Sequence, residues 1–439
     1  MSFLQDLYDL ILFPALLACV LLSGIYITTR LGGNMIRHPI LVCKGLFIPS
    51  QGKSALSSWK ALTVALAGTL GVGNIAGVAS AIAIGGAGAV FWMWMGALLS
   101  MLIKYSEVVL AVRYRKPTAD GYSGGAMCYF KSPIVAILFA VFCLLASFGL
   151  GNILQARTVA LAVERAFGLP PIVCGILLSL LLYLTICRGF TRISAVTLYL
   201  VPLMSGVYVL LCMIVIVLNY TVLPSVLGQI FREAFIPRSI AGGVGGFALA
   251  RVIRAGISRG LITHEAGCGT APMAHAEADT ESPVRQGFMG IFEVFADTIV
   301  LCTLTALALL SQGMGVSADI EGMDAVIAAF TPALGSFTAP ILAILVFCFA
   351  LATMIGWSFY GKRCLDYLAE QFATLEKYKK LYATAYSFLC LLGVITASGL
   401  VWLLADYSVA CMTLLHIPSL LPRIGEVATL TKEYFRKSD

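Results

Sequence analysis

The chain has 439 residues, of which 60% are hydrophobic and only 12% charged. Soluble domains carry about 25% charged residues, so a water-soluble enzyme or binding module is excluded and lipid is indicated as the solvent. The net charge of +7 is no nucleic-acid signal either, because the basic residues sit in short clusters between apolar runs.

The N-terminus carries Asp6 and Asp9 and no Lys or Arg before the first apolar run. A secretory leader needs a basic start, so this run is expected to be a retained helix. Apolar windows of about twenty residues, the length that spans a bilayer as a helix, then recur along the whole chain. Eleven are expected: Tyr8–Thr28, Trp59–Ile84, Val90–Arg113, Ile134–Ala156, Pro171–Cys187, Ile193–Asn219, Ala241–Thr263, Gly287–Leu310, Phe337–Tyr360, Leu381–Leu404 and Tyr407–Leu421. No linker or appended soluble domain separates them, so residues 1–439 read as one membrane domain.

Lys and Arg favour the cytoplasmic side of a bilayer. With the N-terminus outside and the C-terminus inside, all of the 29 basic residues except Arg157, Arg165, Arg232 and Arg238 fall in or near interior segments. Lys104, Arg251, Arg254 and Arg259 are counted there, and Lys104 and Glu107 are expected to snorkel at the interior face. This predicts a multi-pass protein of a bacterial inner membrane. The 13 cysteines include no C-x-x-C pair, which removes any readable zinc or redox motif. His264 and His275 are eleven apart with glycines between them, so the helical zinc spacing is absent as well.

Two windows are interrupted by glycine. The second contains Gly68, Gly71, Gly73 and Gly77 around Asn74, and the seventh runs through Gly256, Gly260, Ile262, Thr263, His264, Glu265, Gly267 and Gly269. Small residues at such spacings also pack membrane helices. Those around Asn74, however, do not form one stripe, and unwound backbone persists in a bilayer only inside protein or beside a water-filled cavity. After the first helix, windows two to six (59–219) and seven to eleven (241–421) form two sets of five. Each set opens with an interrupted helix, and five being odd gives the sets opposite topology. That is the layout of inverted-repeat transporters, whose site lies between discontinuous helices.

The segment GVGNIAGVASAIAIGGAGAVFWMWMGALLSMLIKYSEVVLAVRYR, Gly71 to Arg115, closely resembles the signature region of the alanine or glycine:cation symporter family. So do GLGNILQARTVA from Gly149, RGLITHEAGCGTAPMA from Arg259, FADTIVLCTLTAL from Phe295 and ATMIGWSFYGKRCLDYL from Ala352. The resemblance implies an all-α integral membrane protein with the leucine-transporter fold, a 5+5 inverted repeat and one extra N-terminal helix (8–28). It implies symport of alanine or glycine with sodium into the cytoplasm, by a single copy of the chain in the lipid bilayer. It also implies that Gly73, Asn74, Gln155, Ile262, Thr263 and Trp357 meet the substrate, while Thr353 and the carbonyls of Leu70 and Gly71 hold sodium. No cofactor is implied beyond that co-transported ion.

Two departures stand out: Thr263-His264 replaces the family's usual Ser-Asn, and Gly124-Gly125-Ala126-Met127-Cys128 replaces Gly-Gly-Pro-Met-Tyr. Asp297 and Glu293 lie one turn apart in an apolar run, and an ionisable group within the bilayer is a functional candidate by default. His264, Glu265 and Asp297 are therefore candidates for coupling or gating, with Asp297 favoured as a tether for a broken helix. Two other readings remain: a proton-coupled permease using His264 or Asp297, and a membrane sensor that binds an amino acid without moving it.

Overall fold

The computed structural model describes residues 2–37, 42, 45–46, 54–118, 121–236, 245–313, 322–395 and 399–438. Lys44, Lys53, Arg238 and the start of the seventh window lie outside them. Apart from a two-stranded hairpin, β1 (Lys116–Thr118) with β2 (Gly121–Ser123), the regular structure is helical, as lipid demands of a backbone that must satisfy itself.

After a short helix Ser2–Leu7 and a π-type turn Tyr8–Leu12, the helices in chain order are α1 (Phe13–Arg37), α2 (Ser54–Thr69), α3 (Ala76–Gly85), α4 (Gly88–Tyr114), α5 (Pro133–Phe148), α6 (Leu154–Phe167), α7 (Pro171–Ile186), α8 (Phe190–Leu218) and α9 (Leu223–Phe235). There follow α10 (Gly245–His264), α11 (Ala271–His275), α12 (Pro283–Val294), α13 (Thr303–Ser311), α14 (Gly322–Leu334), α15 (Thr338–Gln371), α16 (Tyr382–Ile395), α17 (Gly399–Leu420) and α18 (Ile424–Ser438). π-type segments, Gly149–Ile153 and the longer Phe295–Cys302, join α5 to α6 and α12 to α13. Among the described residues seven helices are long and apolar enough to cross a membrane, and Ala76–Gly85, Pro171–Ile186 and Tyr382–Ile395 are shorter apolar helices.

Two helices organise the interior. Against α4 pack α1, α9, α10 and α12; against α15 pack α2, α5, α6 and α8. Small residues set the approach. A methyl group on Gly356 of α15 would come within 2.6 Å of the Gly68 nitrogen on α2, and one on Gly256 of α10 would strike the Ala89 carbonyl of α4. The Glu233 carboxylate of α9 accepts from the Ala87 amide at 3.1 Å, placing negative charge at the N-terminus of α4, where the helix dipole favours it.

The structure revises several expectations. Lys104 and Glu107 do not snorkel; both are 0% exposed, because α4 is buried on every face from Leu102 to Val112 and offers them no path to the interface. Arg254 pairs with Asp9 at 3.1 Å, which puts it beside the N-terminal segment rather than across the bilayer from it. Since α10 continues to His264, Arg251, Arg254 and Arg259 precede the break, and all three leave the interior tally. The last two windows divide elsewhere than expected, for Ala405–Tyr407 is helical within α17. Finally, α9, α14 and α18 escaped the window search because they are short or carry a polar face.

Candidate functional site

In the first break the chain leaves α2 at Thr69, makes a single 3-10 turn at Val72–Asn74 and resumes as α3 at Ala76. The Asn74 side chain holds this geometry. Its Oδ1 accepts the Gly71 amide at 3.0 Å and its Nδ2 donates to Asp297 Oδ1 at 2.6 Å, while Thr298 donates to the other Asp297 oxygen at 2.7 Å. Among the described residues, no protein acceptor bonds the amides of Gly73, Ala76 and Gly77.

The second break begins later than expected. Gly256 and Gly260 belong to the continuous helix α10, where they serve close packing, and Ile262 and Thr263 form its last turn; the unwound stretch is residues 265–270. Glu265 takes φ 51° and is the sole non-glycine with positive φ among the described residues; Gly267 (φ 89°) and Gly269 (φ 76°) complete the reversal. Left-handed backbone in a charged residue marks a conformation that its surroundings impose. Those surroundings are visible. The Ala266 amide donates to His264 Nδ1 at 3.0 Å, and the Gly267 amide to Glu107 Oε1 at 2.6 Å. A continuing helix would have sent these amides to the carbonyls of Ile262 and Thr263, which are thereby left without backbone donors.

The Gly267 carbonyl is gripped in turn by His416 Nδ1 at 2.8 Å, and the other nitrogen of that ring meets the Tyr129 hydroxyl at 2.6 Å. Beside it, the Lys104 ammonium lies 3.3 Å from Glu293, whose second oxygen accepts from His275 at 3.2 Å, with Gln286 closing the chain at 2.8 Å. Sequence reasoning missed this interior network. Its signal was there in Lys104 and Glu107, two charges three residues apart inside an apolar run.

Between the breaks lies a cavity of about 410 Å³. It brings together Gly71 and Gly73 from the first break, Gln155 from α6, Ile262 and Thr263 from the end of α10, Glu265 from the second break, and Thr353 and Trp357 from α15. Asn74, Leu70, His264 and Asp297 do not line it. For Asn74, His264 and Asp297 the reason is chemical: each side chain is already held by the backbone or by a neighbour at a break. Trp357 is 1% exposed, an interior residue rather than an interfacial anchor; its Nε1 donates to Glu265 Oε1 at 3.1 Å, and Thr270 donates to Oε2 at 2.8 Å. A methyl group on Gly151, in the π turn before α6, would collide with Trp357, so glycine there lets the indole reach the cavity wall. The Gln155 amide nitrogen reaches Leu150 O at 3.3 Å, whereas its Oε1 is buried and unpartnered. Thr353 Oγ1 donates to Phe349 O at 3.0 Å and stands 3.4 Å from the Leu70 carbonyl.

The wall is therefore divided by polarity. Bare amides lie at the start of α3, as at any helix N-terminus that receives an anion. Bare carbonyls lie at the end of α10, with Gln155 Oε1 as a further acceptor. Hydroxyl and carbonyl oxygens, the ligands a hard cation takes, meet at Thr353 and Leu70.

A model of the sodium:alanine symporter family matches residues 1–439. An uncharacterized transporter of Haemophilus influenzae is 37% identical over 423 residues, 94% of this chain and 92% of that protein. The sodium/alanine symporter AgcS of Methanococcus maripaludis is 35% identical over 437 residues, 96% of this chain and 94% of its own. A solved sodium-coupled sialic acid symporter in a substrate-bound outward-open state superposes with a TM-score of 0.60 at 15% identity, covering 93% of this chain and 86% of that one; that likeness is one of fold.

Proposed function

The chain belongs to the sodium:alanine symporter family, and from that premise we propose that it imports alanine, glycine or a similarly small amino acid with sodium across a bacterial inner membrane. Membership makes it a multi-pass sodium-coupled amino-acid symporter rather than an enzyme. The observation that carries the finer reading is the polarity of the two breaks: free amides of Gly73, Ala76 and Gly77 on one wall, donorless carbonyls of Ile262 and Thr263 on the other. A zwitterion has the same two poles, its carboxylate for the amides and its ammonium for the carbonyls and Gln155 Oε1.

Sodium is assigned to Thr353 Oγ1, the Leu70 carbonyl and the backbone of Gly71. Glycines at 71, 73 and 77 put no side chain between their peptide groups and the cavity, and Trp357 limits the side chain. With both ligands bound, the two five-helix sets, 59–219 and 241–421, rock about the breaks; a ligand moves this equilibrium only by its difference in affinity for the two states. The rocking has to part ion pairs that cross from one set to the other, such as that of Arg165 on α6 with Asp324 at the start of α14. A proton route through His264 or Asp297 draws no support from the geometry, because each side chain is bonded to a residue of a break and neither lines the cavity.

Radiolabelled alanine uptake into proteoliposomes at clamped pH tests the reading. An inward sodium gradient is expected to drive accumulation, and Gln155→Leu to raise KM at least tenfold, about 1.4 kcal/mol. Uptake that ignores sodium, or an unchanged KM, contradicts it.

A further inference from the structure

Two adjoining cavities open where α7 turns into α8, against α15 and the start of α16. The first, of about 350 Å³, has apolar walls in Ile186 of α7, Phe190 and Ile193 of α8 and Phe359 of α15, and a basic rim of Lys362, Lys379 and Lys380. The second, of about 720 Å³, shares Phe190, Arg363, Asp366 and Lys379 with it and adds Lys116 and Arg188. The transport reading uses neither.

Charge around them does not balance. Each carboxylate there already has a cation. Asp366 pairs with Lys362 and lies 4.0 Å from Lys379, Glu376 holds Lys379 at 2.7 Å, Glu277 pairs with Arg363, and Glu370 stands 3.8 Å from Lys116. Arg188 and Lys380 line the cavities with no ion-pair partner among the described residues. An anion with several acceptor oxygens, such as a phosphate ester, would complete the rim. Basic residues at this face also set topology, but a topology signal needs no amphiphilic cavity beneath it.

The surroundings place the rim at the membrane surface. Phe372 and Tyr378, at the two ends of the 3-10 segment Ala373–Tyr378, are exposed, as aromatic residues are at headgroup level. Leu184 and Leu381, close in sequence to Ile186 and Tyr382 of the wall, are exposed and apolar. A cationic rim over an apolar wall at that depth matches a lipid rather than a soluble anion.

We propose that these cavities form a site for an anionic phospholipid of the cytoplasmic leaflet. Its phosphate lies among Lys362, Lys379, Lys380 and Arg188, and the start of one acyl chain lies against Phe190, Ile193 and Phe359. Basic pockets between transmembrane helices on the cytoplasmic side take lipid headgroups in this way. The site joins α7 and α8 of one five-helix set to α15 and α16 of the other, and Ser358 and Phe359 of its wall directly follow Trp357 of the central cavity. A lipid whose affinity differs between the arrangements of those sets shifts the equilibrium between them.

The test titrates phosphatidylglycerol, phosphatidylcholine with the same acyl chains, and inorganic phosphate into the detergent-purified full chain and follows its thermal midpoint. Phosphatidylglycerol is expected to raise the midpoint saturably, and the other two to leave it in place. Arg188→Gln/Lys380→Gln, which breaks no ion pair, is expected to move the phosphatidylglycerol response to about tenfold higher concentration, as loss of two cations beside an anionic headgroup implies. Lys432→Gln/Arg436→Gln removes equal charge from exposed positions on α18 and is expected to leave the response unchanged. An equal response to phosphatidylcholine would reduce the site to an acyl-chain groove, and a response reproduced by inorganic phosphate would make it a free-anion site. Equal losses in the two double variants would reveal diffuse surface charge. Each of these, like the absence of any response, overturns the proposal. The readout needs no transported substrate, so failure of alanine uptake would strike the symport reading and leave this one standing.

Discussion

Lys104 and Glu293 meet at 3.3 Å with both side chains at 0% exposure. Breaking a buried pair by removing one partner costs about 3–5 kcal/mol, because the other charge is stranded. Lys104→Met is therefore expected to lower the thermal midpoint of the purified protein sharply. The double variant Lys104→Met/Glu293→Gln is expected to recover much of the loss, since the neutral amide strands no charge and its oxygen still accepts from His275. A double variant no more stable than the single one would show that the pair is not the source of the effect. At this scale the sequence was legible where a polar or aromatic group interrupts an apolar run, as Gln155, Trp357 and Thr353 do. It misled at Asn74, whose two-faced amide suits a ligand on paper but is taken up by the Gly71 amide and Asp297, partners 3 and 223 residues away. The second of those contacts is invisible before the chain is folded. Lys104 and Glu107 were misplaced for the opposite reason. Snorkelling presumes a lipid-facing helix, and burial of α4 on every face around these two residues is a tertiary fact.

At the scale of the element, the two breaks are held by different means. The first is capped locally by its own Asn74. The second is held from outside: its Gly267 amide is fixed by Glu107 on α4 and its Gly267 carbonyl by His416 on α17. Glu107→Gln keeps the acceptor oxygen and is expected to retain sodium-driven alanine uptake within a fewfold of the unaltered protein. Glu107→Leu removes it and is expected to abolish uptake, at equal protein level in the membrane. Equal uptake by the two variants would detach the anchor from the mechanism. Glycine spacing located the first break correctly but drew the second too early. Gly256 and Gly260 look the same in sequence as a point of unwinding, yet they admit Ala89, Trp92 and Met93 of α4 into close contact. Only the turn from Glu265 to Gly269, with its three positive φ angles, departs from helix.

For the whole molecule, hydropathy and the family resemblance sufficed to give an all-α membrane transporter of the leucine-transporter fold. Charge counting was less dependable. Three arginines assigned to the interior face belong to α10 ahead of its break, one of them paired with Asp9 beside the N-terminal segment. The window method presumes that a charged helix end is a loop, and a helix that lines an aqueous cavity is free to carry charge well within the bilayer. The account depends throughout on the breaks facing one another across one cavity and serving opposite poles of the substrate. Determining the structure of this chain with alanine and sodium bound examines that most directly. It is predicted to place the carboxylate against the amides of Gly73, Ala76 and Gly77, the ammonium against the carbonyls of Ile262 and Thr263 and the Gln155 oxygen, and sodium between Thr353 and Leu70. Alanine seated away from both breaks, or held by side chains with those peptide groups unengaged, would contradict it.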